Sequence, residues 1–301
     1  MFKRFGLFFL VNVGVMITIS VITSILGLNR YMSSQGINYP MLMGFCLVWG
    51  LVGSFISLMM SKMIAKWTMG LQILDNQSNN QEAIWLMNTV RRLSQSANLP
   101  KEPEVAIYES PEVNAFATGP SRGNSLVAVS TGLLSRMDQS EVEGVLAHEV
   151  SHIANGDMVT MTLIQGVINA FVMFFAKIVA WAVANAMRSS DDEGPSFLVS
   201  FLVEMVLYIL FGMLGSITVN WFSRQREFRA DAGASKLVGS NKMVAALRKL
   251  EGVVAGDEEY VEHHKSMASL KISGSKKSFS ELFSTHPSLR DRIDRLQSSR
   301  A

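Results

Sequence analysis

Two long stretches without a charge constrain this chain more than anything else in it. No residue is charged from Phe5 to Asn29, between Arg4 and Arg30, and none from Tyr31 to Ser61, before Lys62. Each run exceeds the ~20 residues that an α-helix needs to cross about 30 Å of hydrocarbon. The first run is too long for the apolar part of a signal peptide, lacks a convincing small-x-small cleavage site and is followed at once by a second apolar run, so it reads as an uncleaved anchor. Two later runs repeat the pattern: Met158–Met187 carries only Lys177, and Phe197–Trp221 carries only Glu204. Spans are therefore expected at about 5–28, 40–61, 158–187 and 197–221. For the second pair the competing reading is a buried helical hairpin of a soluble core.

The two lone charges are informative. Lys177 follows Asp157, and Glu204 precedes Arg224, by nearly the same number of residues, so at 1.5 Å rise per residue both lie roughly 28 Å from one membrane face. An antiparallel hairpin would place them at equal depth near the far interface, where they could pair or reach water along their aliphatic stems. Orientation follows from the short loops. Arg30 and Arg188 stand on one side, whereas Lys3, Arg4, Lys62, Lys66, Arg224, Arg226 and Arg229 stand on the other. Both termini and the large middle region are expected to be cytoplasmic.

Composition fits a chain that is part membrane and part soluble. Hydrophobic residues make up 49% and charged residues 17%, too apolar for an ordinary soluble enzyme and too charged for a membrane bundle alone. Net charge is +2 and no basic stripe is visible, which argues against a nucleic-acid partner. Cys46 is the only cysteine, so an intramolecular disulfide and a cysteine-based zinc site are both excluded. The 19 methionines read as lipid-facing or core filler.

The expected fold class is an α+β membrane protein, with four transmembrane helices and a cytoplasmic domain of helices around a small β-sheet. Its layout is a first hairpin at 1–66, a cytoplasmic part at 67–157, a second hairpin at 158–221 and a C-terminal part at 222–301. In the first polar part, QEAIWLMNTVRRLSQSANL has helical periodicity and stops before Pro100. The stretches EVAIY, VNAFATG and SLVAVS are strand-like and separated by Pro, Gly, Ser and Asn. A helix is expected from Ser140 to about Asn155, capped by Ser140 or Asp138 and ended by Gly156. The C-terminal part is mostly helical, with a mobile loop from about Gly252 to Lys277.

That capped helix carries His148-Glu149-Val150-Ser151-His152. Histidines four apart on a helix share a face and can bind one ion, and the glutamate after the first can reach a water on that ion as general base. The bland alternative is an amphipathic helix with two surface histidines. A catalytic zinc needs a third protein ligand and an open position. Glu227 and Asp231 of EFRAD, also four apart, could supply it, with Glu227 ligating and Asp231 bonding the free nitrogen of a ligand histidine. On spacing alone a solvated charged face explains RQREFRAD better. Position favours the metal reading, because His152 lies six residues before the third span and Glu227 six residues after the fourth.

HEVSH, with EFRAD two spans later, resembles the membrane gluzincin proteases related to the CAAX prenyl proteases, and within them the bacterial heat-shock branch. VNAFATG at 113–119 and THPSLRDRI at 285–293 agree, and four spans in a short chain fit that branch rather than the seven-span enzymes. The resemblance covers essentially the whole chain. It implies a zincin-like catalytic domain and a multi-pass zinc endopeptidase of the bacterial inner membrane, cleaving misfolded or damaged membrane proteins under stress and overlapping in function with other membrane proteases. It implies one zinc per chain held by His148, His152 and Glu227, with Glu149 catalytic. It also implies Asn114 and His286 in the cleft, binding substrate backbone or the developing oxyanion. A turn-forming role for Asn114 and a helix-capping role for His286 compete with that. Strand 113–119 could offer an open edge to which an extended substrate pairs. His263 and His264, adjacent in the polar loop, are poor ligand candidates. A His-box desaturase would need more than the five histidines present. A prenyl-protein processing enzyme would share the same chemistry, and a membrane scaffold with an inert zinc fold is opposed by the intact Glu149.

Overall fold

The computed structural model describes residues 2–33, 36–75, 80–187, 197–264 and 284–298. By contacts the chain divides into two compact units, one formed by Met1–Leu58 with Thr160–Val219 and the other by Met59–Val159 with Asn220–Ala301.

The first unit is built from long apolar helices: α1 (Phe2–Ile25), the start of α2 (Tyr39–Met69), most of α6 (Asp157–Ala186) and the first half of α7 (Phe197–Val238). A short antiparallel ribbon of β1 (Met32–Ser33) and β2 (Gly36–Ile37) precedes α2. Three helices, α2, α6 and α7, are long and apolar enough to cross a bilayer, and Val13–Ile25 of α1 forms a shorter apolar helix. Inside this unit Lys177 Nζ bonds Glu204 Oε1 at 2.7 Å, so the two lone charges of the apolar runs do meet.

The second unit holds a four-stranded sheet in the order β3 (Gln72–Ile73), β4 (Glu104–Tyr108), β6 (Asn124–Ser130), β5 (Ala115–Ser121). β4 and β6 are parallel, whereas the β3–β4 and β5–β6 pairs are antiparallel. The three expected strand stretches became β4, β5 and β6, and β5 forms an edge. β3 is two residues long, too short for an alternation signal. Around the sheet pack α3 (Gln81–Ser96), α4 (Thr131–Arg136), α5 (Gln139–Asn155), α8 (Ser240–His264) and α9 (Leu289–Ser298). Their apolar faces form one core that includes Leu86, Leu93, Val127, Leu146, Ile153 and Leu247, all fully buried.

Helix ends differ from the sequence expectation where charge pairs extend them. α2 continues past Ser61 to Met69, because Lys62 and Lys66 pair with the Glu104 carboxylate of β4 at 2.8 and 2.6 Å. α7 does not stop at Trp221 but carries on to Val238 as one helix. The expected loop from Gly252 is corrected in its first part, since α8 continues to His264. Once a helix is anchored by buried Met243, Val244, Ala246 and Leu247, propagation through two glycines costs little relative to nucleation. Residues 265–277 of that expected loop, and Arg188, lie outside the described residues.

Candidate metal centre

α5 is fixed at both ends before any metal chemistry begins. Asp138 Oδ1 accepts from the Glu141 amide, and the Glu141 carboxylate accepts from the Asp138 amide, a complete capping box. Gly156 ends the helix in the left-handed region at φ 69°. Between these stops α5 is buried on nearly every side from Val142 to Ile153, and the same packing buries His148 and His152. α7 passes close by. A Cβ on Gly233 would lie 2.8–2.9 Å from the Ser151 side chain, so a glycine there is what lets α7 lie against the turn between the two histidines.

That approach brings Glu227 to the histidines. His148 Nε2 and His152 Nε2 are 3.0 Å apart, and each is 3.4 Å from one Glu227 carboxylate oxygen. These three side chains offer ligand atoms within 4.8 Å of one another. Ligand atoms at zinc–nitrogen and zinc–oxygen bond lengths in a tetrahedron are separated by about 3.3 Å, so the spacing suits such an ion. Among the described residues the buried Glu227 Oε1 makes no hydrogen bond, with His152 Nε2 at 3.4 Å and Arg226 Nε at 3.6 Å, as suits an oxygen that could ligate a cation.

The far sides of both imidazoles are held. His148 Nδ1 donates to Asp231 Oδ1 at 2.9 Å, and His152 Nδ1 donates to Asp157 Oδ2 at 2.6 Å. Each bond fixes the tautomer and turns an Nε2 lone pair toward Glu227. Arg292 of α9 clamps Asp231 with two bonds, Nε to Oδ2 at 2.8 Å and Nη2 to Oδ1 at 2.6 Å, and its Nη1 is 3.7 Å from Glu227. All of these groups are buried. Three buried carboxylates (Asp157, Glu227 and Asp231) face one buried guanidinium, with the partly exposed Arg226 3.6 Å from Glu227 and the exposed Arg229 3.8 Å from Asp157. Among the buried groups negative charge is in excess, which a divalent cation or protons on the imidazoles would offset.

Titration follows from that excess. Burial opposes charge on His152, but Asp157 and Glu227 outweigh it and push the imidazole up to about 9. His148 is raised in the same way by Asp231 and Glu227 against its own desolvation. Burial would raise the Glu227 and Asp231 carboxyls. The histidines and Arg292 nonetheless hold both well below the usual carboxylate range. The site thus keeps Glu227 and Asp231 ionised and gives up imidazole protons to a competing metal.

The amino-acid comparisons bear on this arrangement directly. Residues 80–300 match the profile of Peptidase family M48. The chain belongs to that family. Relatives described as protease HtpX homologs match it end to end. One from Pelodictyon phaeoclathratiforme is 51% identical over 300 residues, covering 99% of this chain and 100% of its own. One from Bacillus licheniformis is 50% identical over 302 residues, covering 98% and 99%. The crystal structure of S. mikatae Ste24p superposes with a TM-score of 0.62 at 16% identity, over 98% of this chain and 66% of that one, a likeness of fold. M48 membership and these relatives make the chain a metalloprotease with membrane-spanning helices.

Of the residues singled out in this M48 sequence, His148, His152, Glu227 and Asp231 come together in one network. Glu149 is half-buried on α5, and its charge contributes to the field on His152. His286 reaches the same place from the C-terminal segment, with Nδ1 3.1 Å from Glu227 Oε2 and 59% of its side chain exposed. Helix capping is not its role, because Ser288 Oγ accepts from the Asp291 amide at the start of α9. Asn114 is held by its backbone, which exchanges hydrogen bonds with Ser130 at the head of β5, and its side chain is exposed. Asp157 and Arg292 were missed as site residues. Asp157 read only as the border of a span, although an acid five residues after the second histidine could have signalled a partner for its ring. Arg292 carries no local signal at all, since only the fold brings α9 to Asp231.

Proposed function

We propose that this chain is a multi-pass zinc endopeptidase of the bacterial inner membrane, with four spans, that cleaves misfolded or damaged membrane proteins and unfolded polypeptides. The observation that carries the reading is the convergence of His148, His152 and Glu227, with both imidazoles oriented by carboxylates from behind. Nitrogen and carboxylate donors without sulfur suit zinc among the available divalent ions. The distribution of Lys and Arg supports a cytoplasmic site with both termini on the same side.

The residues divide the work as follows. His148, His152 and Glu227 hold the ion and leave a position open. The chemistry that a zinc ion supplies in such a site is Lewis acidity toward water and toward a carbonyl oxygen. Glu149, next to the first ligand, takes the proton of the attacking water and passes it to the departing amine. Asp231 and Asp157 hold the ligand rings, and Arg292 keeps Asp231 ionised and in place. His286, exposed beside Glu227, and Asn114 at the head of the β5 edge donate toward the substrate carbonyl as negative charge builds on it. The free edge of β5 binds an extended substrate through its backbone, which makes recognition tolerant of side chains.

A chelator tests this reading. Detergent-purified protein is expected to cleave casein, to lose that activity with 1,10-phenanthroline and to regain it on adding zinc. Chelator-resistant cleavage, or none with zinc fully loaded, would contradict it.

A further inference from the structure

Two carboxamides stand on the exposed surface of an apolar helix. Gln165 and Asn169 are one turn apart in the first half of α6, and both are exposed. Gln165 Nε2 donates to Asn169 Oδ1 at 2.8 Å, which leaves the Gln165 oxygen and the Asn169 amino group without a partner among the described residues. In a bilayer no water is available to such groups at this depth, so polar side chains there face other protein or a cavity. Both amides line a cavity of about 640 Å³ whose other polar walls are Trp49, Ser54 and Ser57 of α2, Thr162 of α6 and Tyr208 of α7. Gly50 in the same wall is already occupied from α6, since a Cβ there would lie 2.3 Å from the Gly166 carbonyl oxygen, so α2 and α6 pack backbone to backbone at the floor of the cleft.

The size of the cavity narrows the guest. A helix about 10–12 Å across that rises 5.4 Å per turn fills such a volume with a little over one turn. Acyl chains lack the donors and acceptors to satisfy two amides. A second copy fits poorly, because the exposed stripe of α7 (Leu198, Phe201, Met205, Ile209 and Leu214) is wholly apolar, and two concave clefts cannot fill each other. The complementary surface is a foreign membrane helix that itself carries a polar side chain.

We propose that this cleft docks one membrane-spanning helix of the substrate and selects helices that bear an unpaired Asn, Gln, Ser or Thr near mid-span. In an assembled membrane protein such residues are covered by neighbouring helices, whereas in an orphaned or misfolded one they face lipid. The cleft would thereby recognise the feature that separates failed membrane proteins from sound ones. This inference rests on the endopeptidase reading above.

Full-length protein in phospholipid vesicles tests it with two single-span reporters. Both carry the same unfolded casein-derived tail on a Leu/Ala helix, and they differ by one Asn or Leu at the helix centre. The Asn reporter is expected to show a KM about three- to fifteenfold lower at equal kcat, the range that one hydrogen bond between membrane helices supports. Gln165→Leu with Asn169→Leu should erase that preference to within about twofold and leave casein cleavage unchanged. If the double variant fails to fold, Asn169→Ala alone, which removes only one of the two carboxamides, must reduce the preference instead. Equal KM values in the wild type, or a preference that survives these changes, would overturn the proposal. So would full-yield disulfide pairing of Asn169→Cys between two copies, because a second copy would then fill the cleft. Absence of casein cleavage by the zinc-loaded wild type would strike the endopeptidase reading itself.

Discussion

In the unit formed by 59–159 and 220–301, Leu86, Leu93, Val127, Leu146 and Leu247 are fully buried, and the charges buried with them gather in one network around Glu227. In the unit formed by 1–58 and 160–219, Ile17, Phe171, Phe201, Ile209 and Leu214 are exposed, and the most apolar stretch of α7 has no buried residue. The sheet-bearing unit solves a problem set by water, where each buried aliphatic side chain contributes about 1.5–3 kcal/mol. The unit of apolar helices solves one set by hydrocarbon, where outward apolar surface costs nothing and cohesion comes from close packing and a few polar contacts. The same contact should therefore carry different weight in the two places. A carboxylate lost from the metal centre should be felt as lost chemistry, whereas a carboxylate's partner lost from the apolar helices should be felt as a modest loss of cohesion.

The largest effect is expected at Glu227. Glu227→Gln keeps the shape and removes the anionic ligand, so bound zinc should fall from about one per chain to none, and cleavage should drop by about a thousandfold or more. Metal analysis beside casein turnover checks both, and retention of zinc by the variant would remove Glu227 from the ligand set.

Next comes Asp157. Asp157→Asn leaves His152 unsupported by charge, which should weaken zinc binding by about 10–100-fold, read by competition with a fluorescent chelator. The same pair sets a pH dependence. His152 is raised from its ordinary 6.5 to about 9 when metal-free, so the stability that its charged form brings is complete below about pH 6.5 and is lost as pH rises through about 9. Metal-free protein should thus soften between pH 6.5 and 9 while the increase in Tm on adding zinc grows, and Asp157→Asn should flatten both trends. Equal zinc affinity in variant and wild type would leave Asp157 a structural role only.

The smallest effect is expected in the apolar helices. The Lys177–Glu204 pair is partly exposed, with 19% and 32% of the two side chains accessible. Lys177→Met should cost about 1 kcal/mol or less in mixed-micelle unfolding and leave zinc affinity unchanged. A loss of zinc from this variant would break the contrast between the units.

Much of the architecture was legible because it rests on signals local to the sequence. Charge-free runs mark long helices, short strand-like runs between Pro, Gly, Ser and Asn mark EVAIY and SLVAVS, and Asp138 and Gly156 mark both ends of α5. His148, Glu149 and His152 are one turn of one helix, so spacing alone displays them. Glu227 was legible only through its placement after a span and the resemblance to known proteases, since RQREFRAD by itself reads as a solvated face. Arg292 was invisible because its role depends on where α9 packs, 61 residues from its partner Asp231. β3 was invisible because two residues carry no period. The continuation of α8 past Gly252 was misjudged because packing, not propensity, sustains it.

The central claim is that a base beside the metal, and not the metal centre alone, makes this chain a protease. Glu149→Gln changes the base and none of the ligands. Purified in parallel with the wild type, the variant is expected to hold the same zinc, about one ion per chain, and to cleave casein about 10²–10⁴-fold more slowly. Undiminished cleavage by the zinc-loaded variant would contradict the account.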